Sequence, residues 1–261
     1  MRIATWNVNG LRARLDYVRI WLEARQPDIV GLQELKVSEE EFPASAFDDL
    51  GFEVVVYGQK AWNGVAVLTR HRAEPILRGL PGQEDFGARL VGARIAGLTF
   101  ATAYCPNGKD LAHQDFARKL AWYDDLARFW PSRVAEEEPA VLCGDFNVVP
   151  SPIDSWRGAD GDGSIFHTRE ERTRFGALLD LGLRDLYREK HADRQAYSWW
   201  DYRAGAFPRG RGLRIDFLLG TSTVVDRVTA VEIDRDFRKK KEGLTASDHA
   251  PVYADLDWEV S

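Results

Sequence analysis

Short apolar runs separated by three amphipathic stretches make up most of this 261-residue chain, and their order leaves few architectures open. Runs rich in Val, Ile, Leu and aromatics at residues 2–6, 28–32, 52–57, 64–69, 89–104, 140–143, 214–219, 224–233 and 251–256 read as strands. Leu11, Leu15, Val18 and Leu22 recur at helical spacing, and the stripe ends at Gln26-Pro27, since a residue before proline avoids helical backbone. Phe116, Leu120, Tyr123, Ala127 and Trp130 form a second stripe; a third helix is expected over 169–181, with Phe175, Leu178 and Leu179 inward. Strand, helix, several strands, helix, strand, helix, several strands is not the strict alternation of a parallel doubly wound sheet. Mixed or antiparallel sheets covered by a few helices are expected instead.

No linker, low-complexity tract or composition shift divides the chain, so residues 1–261 read as a single domain. A chain this long buries roughly 70–75% of its unfolded surface and needs no disulfide or structural metal, so any metal would serve chemistry. Cys105 and Cys143 lack metal or redox spacing and read as small buried residues. The longest charge-free run, Ile95 to Gly108, is 14 residues and carries Gly97 and Pro106, short of the roughly 20 needed to cross a bilayer. The N-terminus lacks the apolar core of a signal peptide, so a cytoplasmic protein is expected, nucleoid-associated if bacterial, with no membrane partner and no need to be more than a monomer. Neither GxxxxGK[ST] nor GxGxxG stands between a strand and a helix, which removes the main support for an ATPase or dinucleotide enzyme. The net charge of −6 does not announce a nucleic-acid binder. Arg203, Arg209, Arg211 and Arg214 nonetheless stand in one stretch without an acid, and residues 235–241 hold five basic groups against Asp236. Beside a phosphate site such segments become candidate backbone contacts.

The chemistry gathers at the ends of the apolar runs. Residues 3–6 end in Asn7, 29–33 in Glu34, 100–103 in Tyr104, and 140–144 in Asp145-Phe146-Asn147; Asp216 interrupts the run 214–219, and Ser247-Asp248-His249 opens the last one. Strand ends point side chains to a common rim, where α/β sheets bind ligands. Asp216 among Ile215, Phe217, Leu218 and Leu219 needs a partner if buried, and His249 offers one. Carboxylate and amide oxygens with one histidine and no cysteine cluster suit Mg²⁺, or Mn²⁺ as its substitute, and argue against zinc. Metal-assisted phosphoester hydrolysis is the reaction class this inventory serves best.

Seven blocks appear in order: Trp6-Asn7-Val8-Asn9-Gly10-Leu11-Arg12, Leu32-Gln33-Glu34-Leu35-Lys36, Gly64-Val65-Ala66-Val67-Leu68, Tyr104-Cys105-Pro106-Asn107-Gly108, Gly144-Asp145-Phe146-Asn147, Gly212-Leu213-Arg214-Ile215-Asp216 and Ser247-Asp248-His249-Ala250-Pro251-Val252. Together they resemble exonuclease III and its apurinic/apyrimidinic endonuclease relatives, within the exonuclease-endonuclease-phosphatase superfamily. The resemblance implies an α/β fold, a four-layer αββα sandwich of two mixed sheets flanked by helices, with the site at one end. It also implies that Glu34 holds the divalent metal with Asn7 and Asp248 as supports. Asp145 would deprotonate the attacking water and Asn147 steady it; Tyr104, Asn107 and His249 would contact the scissile phosphate, with Asp216 orienting His249. Trp199 and Trp200 with Leu213 and Ile215 resemble the apolar pocket that accepts a flipped abasic sugar. Trp62 falls where relatives meet the minor groove and Arg89 where they place an arginine behind the site, while Arg203, Arg209 and Arg211 would meet phosphates. The acidic loop 158–164 has a variable counterpart among relatives. The expected activity is incision 5′ to abasic sites in double-stranded DNA, with 3′→5′ exonuclease and 3′-phosphatase work. The alternatives are a phosphoesterase of the same scaffold acting on RNA, a phospholipid or an inositol phosphate, and a non-catalytic DNA-binding module.

Overall fold

In the computed structural model, which describes residues 1–135 and 137–259, most of the apolar runs become strands, and those at the centre of each sheet are buried on both faces. In chain order the first half comprises β1 (Arg2–Asn7), α1 (Leu15–Arg25), β2 (Ile29–Gln33), α2 (Ser45–Asp48), β3 (Glu53–Tyr57), β4 (Val65–Thr69), β5 (Ala73–Arg78), β6 (Leu90–Ile95) and β7 (Leu98–Tyr104). The second comprises α3 (Gln114–Phe129), β8 (Ala140–Asp145), α4 (Arg169–Leu179), β9 (Arg184–Asp185), α5 (Leu186–Lys190), β10 (Asp216–Gly220), α6 (Ser222–Val225), β11 (Val228–Ile233) and β12 (Val252–Leu256). The strands form two sheets, ordered β11-β12-β1-β2-β4-β3 and β5-β6-β7-β8-β10-β9. Each has one parallel pair at its centre, β1 with β2 and β7 with β8, between antiparallel neighbours.

Ile3, Ile29 and Val67 of the first sheet meet Phe100, Val141 and Cys143 of the second in one core. On the outer face of the first sheet Val18, Trp21 and Leu22 of α1 cover Val30 and Leu32, and on the second Trp122 of α3 and Phe175 of α4 cover Leu142 and Phe217. The layers are therefore helix, sheet, sheet, helix. Where the sheets face each other near the site they approach closely: a Cβ on Gly31 would lie 2.7 Å from Thr102 and Cys143.

Several elements differ from the sequence reading. The single run 89–104 is a hairpin of β6 and β7, turned at Ala96 and Gly97, both at positive φ (48° and 76°). The run 224–233 begins in α6, and only Val228 onward is strand. Strand β5 carries Pro75, which disguised it; it survives as a bulged edge strand, where a missing N–H costs little. The inward face of α3 is Lys119, Trp122, Tyr123 and Leu126, with Phe116, Leu120 and Ala127 only half-buried at its flanks. A lysine occupies the apolar face because Glu171 of α4 neutralises it.

Arg214, expected with its neighbours at a phosphate, turns inward instead. It is 1% exposed, donates from Nε to Asp154 (2.6 Å) and pairs with Asp185 (2.7 Å), while Arg188 also reaches Asp154. Burial opposes the charge on Asp154, but Arg214 and Arg188 hold its carboxyl below the usual carboxylate range. A carboxyl lowered on folding stabilises fully above its unfolded pKa of about 4 and loses that share as pH falls. Asp154→Ala leaves the buried Arg214 with Asp185 as its one counter-charge and takes the carboxylate from Arg188, and urea denaturation at pH 7 is expected to show a loss of about 3 kcal/mol.

Candidate active site

Parallel pairing puts the carboxyl ends of two neighbouring strands at the same end of a sheet, and both sheets do so at the same end of the sandwich. Asn7 ends β1, Glu34 follows β2, Tyr104 ends β7 and Asp145 ends β8. The antiparallel neighbours deliver their first residues there: Asp216 opens β10 directly opposite Asp145, and His249 precedes β12, the partner of β1.

The side chains close into one buried network. Asn7 Nδ2 donates to Glu34 Oε1 and to Asp145 Oδ2, each at 2.8 Å, and so ties the two sheets' carboxylates together. Ligand atoms of Glu34, Asp145 and His249 all lie within 4.8 Å of one another. His249 Nδ1 is 2.9 Å from Asp216 Oδ2, leaving Nε2 facing Asp145 Oδ2 at 3.8 Å. Ser198 Oγ donates to Asp216 (2.6 Å) while accepting from the backbone N–H groups of Ile215 and Asp216, so the carboxylate that orients the histidine is itself oriented. Asn147 Nδ2 donates to the Cys105 carbonyl (2.9 Å), and Asn107 Nδ2 to Asn147 Oδ1 (3.3 Å). Glu34 and Asn147 both hold left-handed backbone, φ 53° and 48°, a strain that non-glycine residues keep only where the surroundings enforce it.

Electrostatics divides the roles. Burial disfavours an ionised Glu34, but Lys36 (2.9 Å from Oε2) and the Asn7 amide prevail and keep its carboxyl below the usual range. Burial raises Asp145, and the charges of Asp216 and Glu34 push it further up against the pull of His249. Burial works against a charged His249, yet Asp216 overcomes it and raises the imidazole well above its ordinary value. Burial and the neighbouring Glu34 and Asp145 hold the Tyr104 hydroxyl protonated. The site thus presents a carboxylate with raised proton affinity beside a protonated imidazole and a phenol.

The structure brings Asn7, Glu34, Tyr104, Asn107, Asp145, Asn147, Asp216 and His249 to one rim, and sets the other expected residues around it. Asp248 spends its carboxylate on Asn9 Nδ2 (2.8 Å) and Trp199 Nε1 (2.9 Å), fixing the wall. Arg89 lies behind Tyr104, donating to its carbonyl (3.1 Å). Trp62 is 70% exposed, and Arg209 and Arg211 are exposed as well, Arg211 against the Trp156 ring. Arg203 is bound to Asp201 (2.8 Å). Leu213 and Ile215 pack with Val149, Phe166 and Trp199 beside a depression of about 370 Å³. Trp200, expected in the same pocket, is instead 1% exposed and packs on Phe207 in a separate apolar cluster with Ala206 and Ala250, because its ring turns into the core while Trp199 lines the depression. In the acidic stretch, Gly158–Gly161 form a 3-10 turn, and Asp162 pairs with Arg172. Lys36 and Asn9 stand within the sequence blocks without an assigned role; Ser198, Phe166 and Lys119 give no periodic or motif signal, and Glu171 gives only that of the capping box with Thr168.

Comparison with known proteins agrees with this geometry. The model of the endonuclease/exonuclease/phosphatase family matches residues 4–249. Exodeoxyribonuclease III of Haemophilus influenzae is 35% identical over 269 residues, covering 98% of this chain and 100% of that protein. Among solved structures, the 3′-5′ exonuclease NExo of Neisseria meningitidis superposes with a TM-score of 0.94 at 37% identity, over 99% of this chain and 100% of that one. The same enzyme, described as a 3′ phosphatase, is also known bound to a product DNA hairpin. An AP endonuclease of Archaeoglobus fulgidus gives 0.93 at 34% identity, over 98% and 99% of the two chains. This chain belongs to the endonuclease/exonuclease/phosphatase family, in its exodeoxyribonuclease III and AP endonuclease branch.

Proposed function

We propose that this chain is a Mg²⁺-dependent DNA repair nuclease, with Mn²⁺ as substitute, that hydrolyses phosphodiesters at 3′ ends and 5′ to abasic sites of double-stranded DNA. The observation that carries this reading is the convergence of Asp145, His249 and Glu34, with Asp145 Oδ2 3.8 Å from His249 Nε2 and the ligand atoms of all three within 4.8 Å of one another. Phosphodiester hydrolysis needs a proton acceptor for water next to donors for the non-bridging oxygens, and Asp145 and His249 supply both. Asp145 takes the proton from the attacking water, which Asn147 holds in place. His249, Tyr104 and Asn107 donate to the phosphate, and Asp216 keeps the imidazole charged and aimed.

Glu34 and Asp145 offer the hard oxygen donors a small divalent cation prefers, with Asn7 fixing both carboxylates; such a cation supplies charge neutralisation at the phosphate and leaving oxygen. Trp62 lies along the groove that Asn107, Lys109 and Arg118 also line, a surface for the duplex. The wall of Trp199, Leu213 and Ile215 faces the sugar. The single domain acts as a monomer in the cytoplasm, and no described helix is long and apolar enough to cross a membrane.

The test is a gel of one end-labelled duplex carrying an abasic analogue beside an undamaged blunt duplex, with Mg²⁺ and with EDTA. A 3′-shortened ladder and a fragment cut 5′ to the analogue, both only with Mg²⁺, are expected. A ladder without the incision confines the enzyme to 3′ ends. No cleavage of either duplex, with turnover of RNA or a phosphoinositide, would replace DNA as the substrate.

A further inference from the structure

Two side-chain amides and one ring of the site ride on loops outside the sheets: Asn107 after β7, Asn147 after β8, and Phe166 on the segment leading into α4. One buried side chain reaches all three. Lys119 Nζ donates to the Asn147 carbonyl (2.6 Å) and the Asn107 carbonyl (3.3 Å), and lies 4.8 Å from the Phe166 ring centre. Its counter-ion is Glu171, whose Oε1 also accepts from the Phe166 N–H (3.1 Å) and whose Oε2 accepts from the N–H (3.0 Å) and hydroxyl (2.8 Å) of Thr168. Both side chains are fully buried.

Stability alone does not explain this pair. A buried ion pair is often matched or exceeded by well-packed apolar residues of similar volume, and the rest of this α3 face is Trp122, Tyr123 and Leu126. What an apolar residue cannot do is hold two carbonyls from different loops. The carbonyl that Lys119 binds belongs to Asn147, whose own N–H is held by Asp145 Oδ1 (2.9 Å), so the left-handed residue is gripped on both sides. Asn107 and Asn147 are also joined through their side chains, so a shift in one moves both.

We infer that Lys119 and Glu171 are positioning residues of the nuclease reaction: the buried pair fixes the Asn107 and Asn147 backbones and the Phe166 wall against the sheets' catalytic groups. The inference rests on the nuclease reading above. Lys119→Met alone strands the Glu171 charge, so the double variant Lys119→Met/Glu171→Gln carries the test, with Glu171→Gln as its companion. Melting temperature, Mn²⁺ affinity by calorimetric titration, hydrogen exchange over residues 146–149, and kcat and KM on a labelled 3′-recessed duplex are compared with wild type. The double variant is expected to melt within a few degrees of wild type and bind Mn²⁺ within about twofold, because the pair touches neither Glu34 nor His249. Exchange over 146–149 should quicken, and kcat should fall roughly 10- to 100-fold with KM nearly constant, the scale expected of misplaced reacting groups. Glu171→Gln keeps an acceptor for Thr168 and leaves Lys119 on the two carbonyls but without its counter-charge, so it should melt lower than the double variant and lose less kcat. A folded double variant with wild-type kcat and exchange overturns the inference, and so does one that fails to fold or loses Mn²⁺ binding in parallel, since the pair is then structural. Wild type that cuts no DNA would sink the nuclease reading instead, while exchange would still report whether the pair holds the loops.

Discussion

Asp145→Asn is expected to lower DNA cleavage by about 10³-fold or more while leaving the protein folded, with a melting temperature within a few degrees of wild type. The loss follows from position: Asp145 is the buried carboxyl that gathers bonds or close approaches from Asn7, Asn147 and His249, and whose proton affinity its surroundings raise. Asparagine keeps the shape and an oxygen for the Asn147 N–H, but it cannot accept a proton, and it gives up the second oxygen that accepts from Asn7 Nδ2. The stability half has a separate cause. Glu34, Asp145 and Asp216 crowd three carboxylates into one buried site, and neutralising one relieves repulsion that only function justifies. Melting curves in EDTA beside single-turnover cleavage check both halves. A variant that is inactive because it unfolds would contradict the assignment.

Replacing His249 should cost nearly as much. His249→Asn removes the imidazole proposed to donate to the phosphate, and a loss of about 10²- to 10³-fold in kcat is expected, the range seen when one preorganised donor to a developing charge is deleted. Asp216 touches the reaction only through His249, by the 2.9 Å bond to Nδ1. Asp216→Asn should therefore cost less, and adding it to His249→Asn should cost almost nothing more, because residues acting as a unit are not additive. Single-turnover rates for the two single variants and the double variant decide this. Multiplied losses would show that Asp216 has a separate task.

Much of the site is legible in the sequence because its chemistry sits at strand ends. Asn7, Glu34, Tyr104 and Asp145 each terminate an apolar run, and Asp216 stood out as a carboxylate inside one. Their convergence was not visible, since Asn7 and Asp145 meet across 138 positions only because two parallel pairs lie face to face. The third helix came out nearly to the residue, as its capping box and apolar spacing suggest. The second came out with its face turned, because periodicity registers apolar side chains and cannot see a lysine whose charge is cancelled by Glu171, 52 positions away. Phe166 and Ser198 were hidden for a similar reason: each sits in irregular chain, where spacing carries no information, and acts by contacts made in three dimensions. Arg214 shows the converse error, since clustered arginines look alike in sequence and burial alone separated it from its exposed neighbours.

The most direct measurement is anomalous diffraction from crystals of this protein soaked in Mn²⁺. A single strong peak within coordination distance of the Glu34 carboxylate, inside the cluster it makes with Asp145 and His249 and abolished in Glu34→Gln, is the expected result. Mn²⁺ bound only at a distance from Glu34, in crystals of protein that still cleaves DNA, would contradict it.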